Sequence, residues 1–158
     1  MIPSIEQEIL IEAPVDVVWG AVTEPDQISS WFTNAADIDV REGGKGALTW
    51  TDRAAIDITE PVTAEITVVT LDRPRLFSFR WAYPEGAVPR EGNSVLVEFT
   101  LTPEGESTRL RVTESGLSEI DWTEEQKATY AQEHTHGWSK HLADLVAYAS
   151  VKDRAAVK

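Results

Sequence analysis

Apolar and polar positions alternate at the start of the chain. Over residues 4–12, Ile5, Ile9 and Ile11 fall on one face and Glu6 and Glu8 on the other. That period of two predicts a half-buried strand. Ala13-Pro14 ends it, and Pro14 suits the first turn of a helix, where its missing N–H costs nothing. Val15, Val18, Trp19 and Val22 then recur at helical spacing as far as Thr23. Glu24-Pro25-Asp26 interrupts that helix, and a second short one is expected over residues 26–31.

Turns and alternation organise the middle of the chain. Glu42-Gly43-Gly44-Lys45-Gly46 reads as a turn before a strand at residues 47–51, and another strand is expected near residues 55–58. Residues 63–71 are rich in β-branched side chains, which favour a strand. After Asp72-Arg73-Pro74, residues 75–83 place Phe77, Phe79, Trp81 and Tyr83 on one face, with Ser78 and Arg80 on the other. Residues 84–93 form a loop containing two prolines and two glycines. Residues 94–102 put Val95, Val97, Phe99 and Leu101 inward, and residues 108–114 continue with Leu110 and Val112 on one face. Pro103-Glu104-Gly105-Glu106 turns the chain between these two strands.

Thr123-Glu124-Glu125-Gln126 has the form of a capping box, with Thr123 as cap and Gln126 reaching back. It opens a long helix expected to run from Glu124 to Tyr148, with Tyr130, His134, Trp138, Leu142, Leu145 and Ala149 on its inward stripe. Gly137 within that helix costs roughly 1 kcal/mol relative to alanine, so a close approach to the sheet or to an early helix is expected there. The order is strand, two short helices, about six antiparallel strands and one long helix, for a sheet of about six or seven strands. The fold class expected is α+β, with a curved sheet wrapped on the last helix. One domain is expected over residues 1–150, with residues 151–158 a frayed tail.

Composition narrows the chemistry. The formal charge is −13, from 27 acids against 14 bases, the wrong sign for a nucleic acid or an anionic membrane surface. There are no cysteines, which removes disulfides, thiolate metal sites and thiol nucleophiles. Residues 1–6 lack the pattern of a signal peptide, and no apolar run approaches the roughly 18 residues that span a bilayer. A cytoplasmic location is the expectation. No phosphate-cradling loop, dinucleotide fingerprint or nucleophile elbow is present, so no cofactor is implied.

Several ordered motifs carry a resemblance. They are the proline and tryptophan of Glu12-Ala13-Pro14-Val15-Asp16-Val17-Val18-Trp19, the Trp31-Phe32 pair and Gly43-Gly44. Pro74-Arg75-Leu76 with Phe79-Arg80-Trp81, the run from Thr108-Arg109-Leu110 to Ser115-Gly116-Leu117, and Gly137-Trp138 with Leu142 and Leu145 complete the set. Over about residues 5–149 the chain resembles the START-like (SRPBCC) superfamily, in the branch named for the activator of the heat-shock-protein-90 ATPase. The resemblance implies the helix-grip (Bet v 1-like) fold and a ligand cavity between sheet and long helix. It implies no single activity, since that superfamily includes lipid and hormone binders, cyclases and dehydratases, and co-chaperone domains. The position before Ser115-Gly116 is often histidine in the family and is Glu114 here. The eukaryotic co-chaperone also carries a separate N-terminal domain for which 158 residues have no room, which speaks against a chaperone partner.

The candidate site follows from the aromatic residues and two polar ones. Trp50, Phe77, Phe79, Trp81 and Phe99 belong to the concave sheet face, and Trp31, Tyr130 and Trp138 approach from the helices. These rings either fill the core or line a pocket for a small hydrophobic or aromatic molecule. By alternation from Leu110 and Val112, Glu114 points inward at a strand end. It is either a general acid or base, or anchor, in a pocket, or a rim carboxylate that is solvated or paired, for instance with His134 or an arginine. His134 is the matching polar candidate on the helix. His134 and His141 lie seven residues apart, roughly 10 Å along a helix, too far to share a metal ion. Three functions remain: a binding module for an apolar ligand, a cyclase or dehydratase using Glu114 and His134, and an interaction domain, either a co-chaperone or a homodimer, using the acidic surface and the loop at 84–93.

Overall fold

The structure is a computed structural model that describes residues 5–50, 62–82, 94–116, 120 and 122–157. Strand β1 (Ile5–Ile11) leads into helices α1 (Val15–Thr23) and α2 (Pro25–Trp31). Six further strands follow: β2 (Ala35–Ile38), β3 (Lys45–Trp50), β4 (Val62–Asp72), β5 (Leu76–Ala82), β6 (Ser94–Glu104) and β7 (Ser107–Ser115). Helix α3 (Glu124–Val157) closes the chain. The seven strands form one antiparallel sheet in the order β1-β7-β6-β5-β4-β3-β2. Each strand from β2 to β7 lies beside its chain neighbour, as hairpin connections dictate, and β1 closes onto β7.

The alternation read from the sequence is the alternation of burial. In β1, Ile5 and Ile11 are buried while Glu6 and Glu8 are exposed. Phe77, Phe79 and Trp81 of β5 face inward, and register places Phe77 beside Phe99 and Phe79 beside Val97. Ser78, read as outward, is buried too. Register shifts between Val68 and Thr70 on β4, and the Thr70 N–H donates to Ser78 Oγ at 3.1 Å. A bulge thus supplies the partner that a buried hydroxyl needs.

Helix α3 lies against the open edge and inner face of the sheet. Gln7 Nε2 donates to the Thr135 carbonyl at 2.6 Å, and Ser139 Oγ donates to Gln7 Oε1 at 3.2 Å. These bonds tie β1 to the helix and cover an edge strand. The capping box forms as expected: the Gln126 N–H donates to Thr123 Oγ1 at 3.1 Å, and the Thr123 N–H donates to Gln126 Oε1 at 3.0 Å. On the outer face, Arg109 bridges Glu8 at 3.2 Å and Glu104 at 2.5 Å. The hydrogen bond from Arg109 holds the Glu104 carboxyl below its ordinary pKa.

Some expectations are corrected, and others fall outside the described residues. Strand β2 was not anticipated, because Ala35-Ala36-Asp37-Ile38 has little strand propensity of its own and is held by its pairing to β3. Helix α3 runs past the expected end at Tyr148 to Val157, since no glycine or proline stops it before then. Gly137 is buried, but outside its own stretch of helix no described atom lies within 4 Å of where its Cβ would be, so no close approach is seen among the described residues. The strand near 55–58 and the loop at 84–93 lie outside the described residues.

Candidate functional site

Glu114 sits where a core residue would. Its neighbours across the sheet are Val97 on β6 and Ile5 on β1, both buried. The inward alternation of β7 therefore carries a carboxylate into an apolar surface, and the residue is only 2% exposed. Burying a charge without partners is expensive. One partner is present: His134 Nδ1 lies 3.0 Å from Glu114 Oε1. A carboxylate only accepts, so the imidazole donates through its Nδ1–H. The other oxygen, Oε2, is buried without a hydrogen-bond partner among the described residues.

His134 is fixed by more than this bond. Its ring stacks on Tyr130, with centroids 3.7 Å apart and planes 17° apart, and meets the edge of Trp81 at 5.7 Å. Trp81 Nε1–H in turn donates to the Tyr130 hydroxyl oxygen at 2.9 Å. Helical spacing aligns the two helix residues, because positions four apart share one face. The imidazole side chain keeps 26% of its surface exposed, so one hydrogen bond joins a buried carboxyl group to a partly exposed ring.

The open side of His134 is a groove of about 650 Å³ along the first turns of α3. Trp122 and Tyr130 form its aromatic walls, with ring centroids 5.7 Å apart and planes tilted by 53°. Glu125 and Glu133 also line it. Trp122 lies just before the helix and outside any alternating or helical stripe, so the sequence offered no signal for it.

The remaining candidates are placed differently. Trp31, Phe77, Phe79, Phe99 and Trp138 are buried and in contact with one another. Trp31 stacks on Phe32 at 5.2 Å and Phe32 on Trp138 at 5.1 Å, while Phe99 meets Trp138 edge-on at 5.7 Å. These rings build the core behind the groove. Trp31 Nε1–H donates to the Ala21 carbonyl at 2.7 Å, whereas Trp138 Nε1 is buried with no partner among the described residues. Trp50 ends β3, where its backbone pairs with Val62. Of the three histidines, only His134 lines the groove; His141 packs edge-on against Phe32 at 4.8 Å. Among the described residues no group of three or more His, Cys, Asp or Glu side chains could hold a metal ion. No described helix is long and apolar enough to cross a membrane.

A seven-stranded antiparallel sheet, two short helices after the first strand and one long C-terminal helix define the helix-grip fold of the START-like superfamily. Within it, the chain belongs to the family of Activator of Hsp90 ATPase homolog 1-like proteins, whose model matches residues 12–150. Protein MLL2253 from Mesorhizobium loti is similar in structure, with a TM-score of 0.73 at 20% identity, over 96% of this chain and 99% of that one. CalU16 from Micromonospora echinospora is similar with a TM-score of 0.67 at 28% identity, over 92% of this chain and 73% of that one. DynU16, from the dynemicin biosynthetic locus, is similar with a TM-score of 0.70 at 24% identity; the match covers 97% of this chain but 49% of that one. No curated protein matches the sequence.

Proposed function

We propose that the protein binds a small hydrophobic or aromatic molecule at the groove beside the first turns of α3, with the Glu114–His134 pair as its polar anchor. The observation that carries this reading is the pair itself: a carboxylate buried among Val97 and Ile5 serves no need of the sheet, yet it orients an imidazole that lines an open groove. Aromatic walls with a few convergent polar groups are the usual composition of a small-molecule site. A panel of lipids and aromatic compounds, scored by thermal shift and tryptophan fluorescence, tests it. Binders should raise the melting temperature, and Trp122→Phe should weaken their fluorescence response. A panel without a single saturable binder ends the proposal.

A second reading is favoured by the same pair. An imidazole oriented by a carboxylate can act as a general base, with Nε2 taking a proton from a bound ligand and Glu114 stabilising the imidazolium. Turnover of a bound carbonyl compound, lost in His134→Gln while binding persists, separates this reading from simple binding.

A further inference from the structure

We infer that Trp81 is a positioning residue for the groove: its indole N–H fixes Tyr130, and Tyr130 fixes the His134 imidazole that the ligand meets. This rests on the groove being the binding site, and it assigns part of the site's affinity to a buried residue that does not line it.

Three contacts close a triangle. Trp81 Nε1–H donates to the Tyr130 hydroxyl oxygen at 2.9 Å. Tyr130 lays its ring on His134 with centroids 3.7 Å apart. Trp81 meets the same imidazole at 5.7 Å, with planes 74° apart. The hydrogen bond from His134 Nδ1 to Glu114 Oε1 adds a fixed point on β7. The imidazole is thus held by two rings and at one nitrogen, from β5, β7 and α3. A turn of the ring about its Cβ–Cγ bond would give up the stack and the Glu114 bond together.

Core packing explains only part of this arrangement. A buried indole N–H and a buried phenol hydroxyl need partners wherever they lie, and the Trp81–Tyr130 bond meets that need. It does not dictate what else the two rings touch. Trp81 and Tyr130 are 5% and 6% exposed, whereas the His134 side chain keeps 26% of its surface open and lines the groove. Both buried rings bear on a ring that meets solvent. Tyr130 also supports Trp122, whose ring centroid lies 5.7 Å away along the groove. The anchor at Trp81 therefore sets the aromatic wall and the imidazole together. A side chain already held in its binding orientation needs no ordering when a ligand arrives, and this raises affinity.

Nuclear magnetic resonance and titration with 2-naphthol test this in Trp81→Phe, Tyr130→Phe and the double variant. Both single changes break the same hydrogen bond and keep an aromatic ring. In the free protein, the stack on Tyr130 shifts the His134 ring protons upfield, and each variant should move them toward the values of an unstacked histidine. Affinity for 2-naphthol should fall about 2- to 10-fold in each single variant. The double variant should be weaker than the worse single one by no more than about twofold, because one bond can be lost only once. Unmoved ring protons overturn the positioning role, whatever the ligand does. Wild-type affinity in both single variants, or losses that multiply in the double variant, overturn it too and leave the groove reading standing. Failure of 2-naphthol to saturate the wild type counts against the groove reading instead, and the ring protons of the free protein still decide the role of Trp81. Should the variants fail to fold, the wild type decides. Overhauser contacts are expected from the Trp81 indole N–H to the Tyr130 ring, and from that ring to the His134 ring protons; their absence overturns the triangle.

Discussion

Glu114 Oε1 and His134 Nδ1 meet at 3.0 Å across the seam between the last strand and the long helix. The acid is enclosed in the sheet and the imidazole is partly exposed. Replacing a buried polar pair as a whole by apolar side chains of similar size is often neutral or stabilising by about 1–4 kcal/mol, whereas removing one partner alone is destabilising. The double variant Glu114→Leu/His134→Leu should therefore match or exceed the wild type in urea unfolding, while ligand affinity falls. A loss of more than about 3 kcal/mol would mean that the pair is there to hold the fold.

Tyr130 links the groove to the core through its hydroxyl. Tyr130→Phe takes from the buried Trp81 Nε1–H the acceptor at 2.9 Å. A loss of about 1–3 kcal/mol in chemical unfolding is expected. A change within experimental error would show that the hydroxyl contributes nothing to Trp81.

The N-terminus of α3 forms one border of the groove, and the Thr123–Gln126 box defines it. Thr123→Ala should cost about 1 kcal/mol of stability. Because the first turn carries Glu125 and Gln126, the same variant should weaken binding at the groove. An unaltered unfolding midpoint would contradict the role of the cap.

Gly137 offers the opposite sign. With no described atom within 4 Å of a Cβ at that position, Gly137→Ala removes the helix penalty of glycine without a clash. It should stabilise the protein by about 0.5–1 kcal/mol, raising the melting temperature. Destabilisation would show that a side chain cannot be accommodated there.

Much of the fold was legible because it rests on short-range pattern. The period-two runs in β1, β6 and β7 alternate between a buried and a more open face, the aromatic run in β5 is buried as expected, and the box at Thr123 marks the start of α3 to the residue. Strand β2 was not legible, since its four residues take their conformation from β3. The inward direction of Glu114 followed from alternation, and a pairing with His134 was one of the alternatives it left open. Which rings would pack together and which would border solvent did not follow. Tyr130 and Trp138 occupy the same helical stripe, yet only Tyr130 reaches the groove, because Trp138 is enclosed by Phe32 and Phe99. Trp122 was invisible for a related reason: its place depends on how the chain turns into α3 and not on any period.

The central claim is that the Glu114–His134 end of the molecule holds an apolar ligand. It is tested most directly by nuclear magnetic resonance of the labelled protein during titration with 2-naphthol. The account predicts saturable shifts concentrated on the Trp122 indole N–H, the Tyr130 and His134 amides and the His134 ring. Shifts that fail to saturate, or that cluster around Asp37, Lys45 and Glu65 on the far side of the sheet, would contradict it.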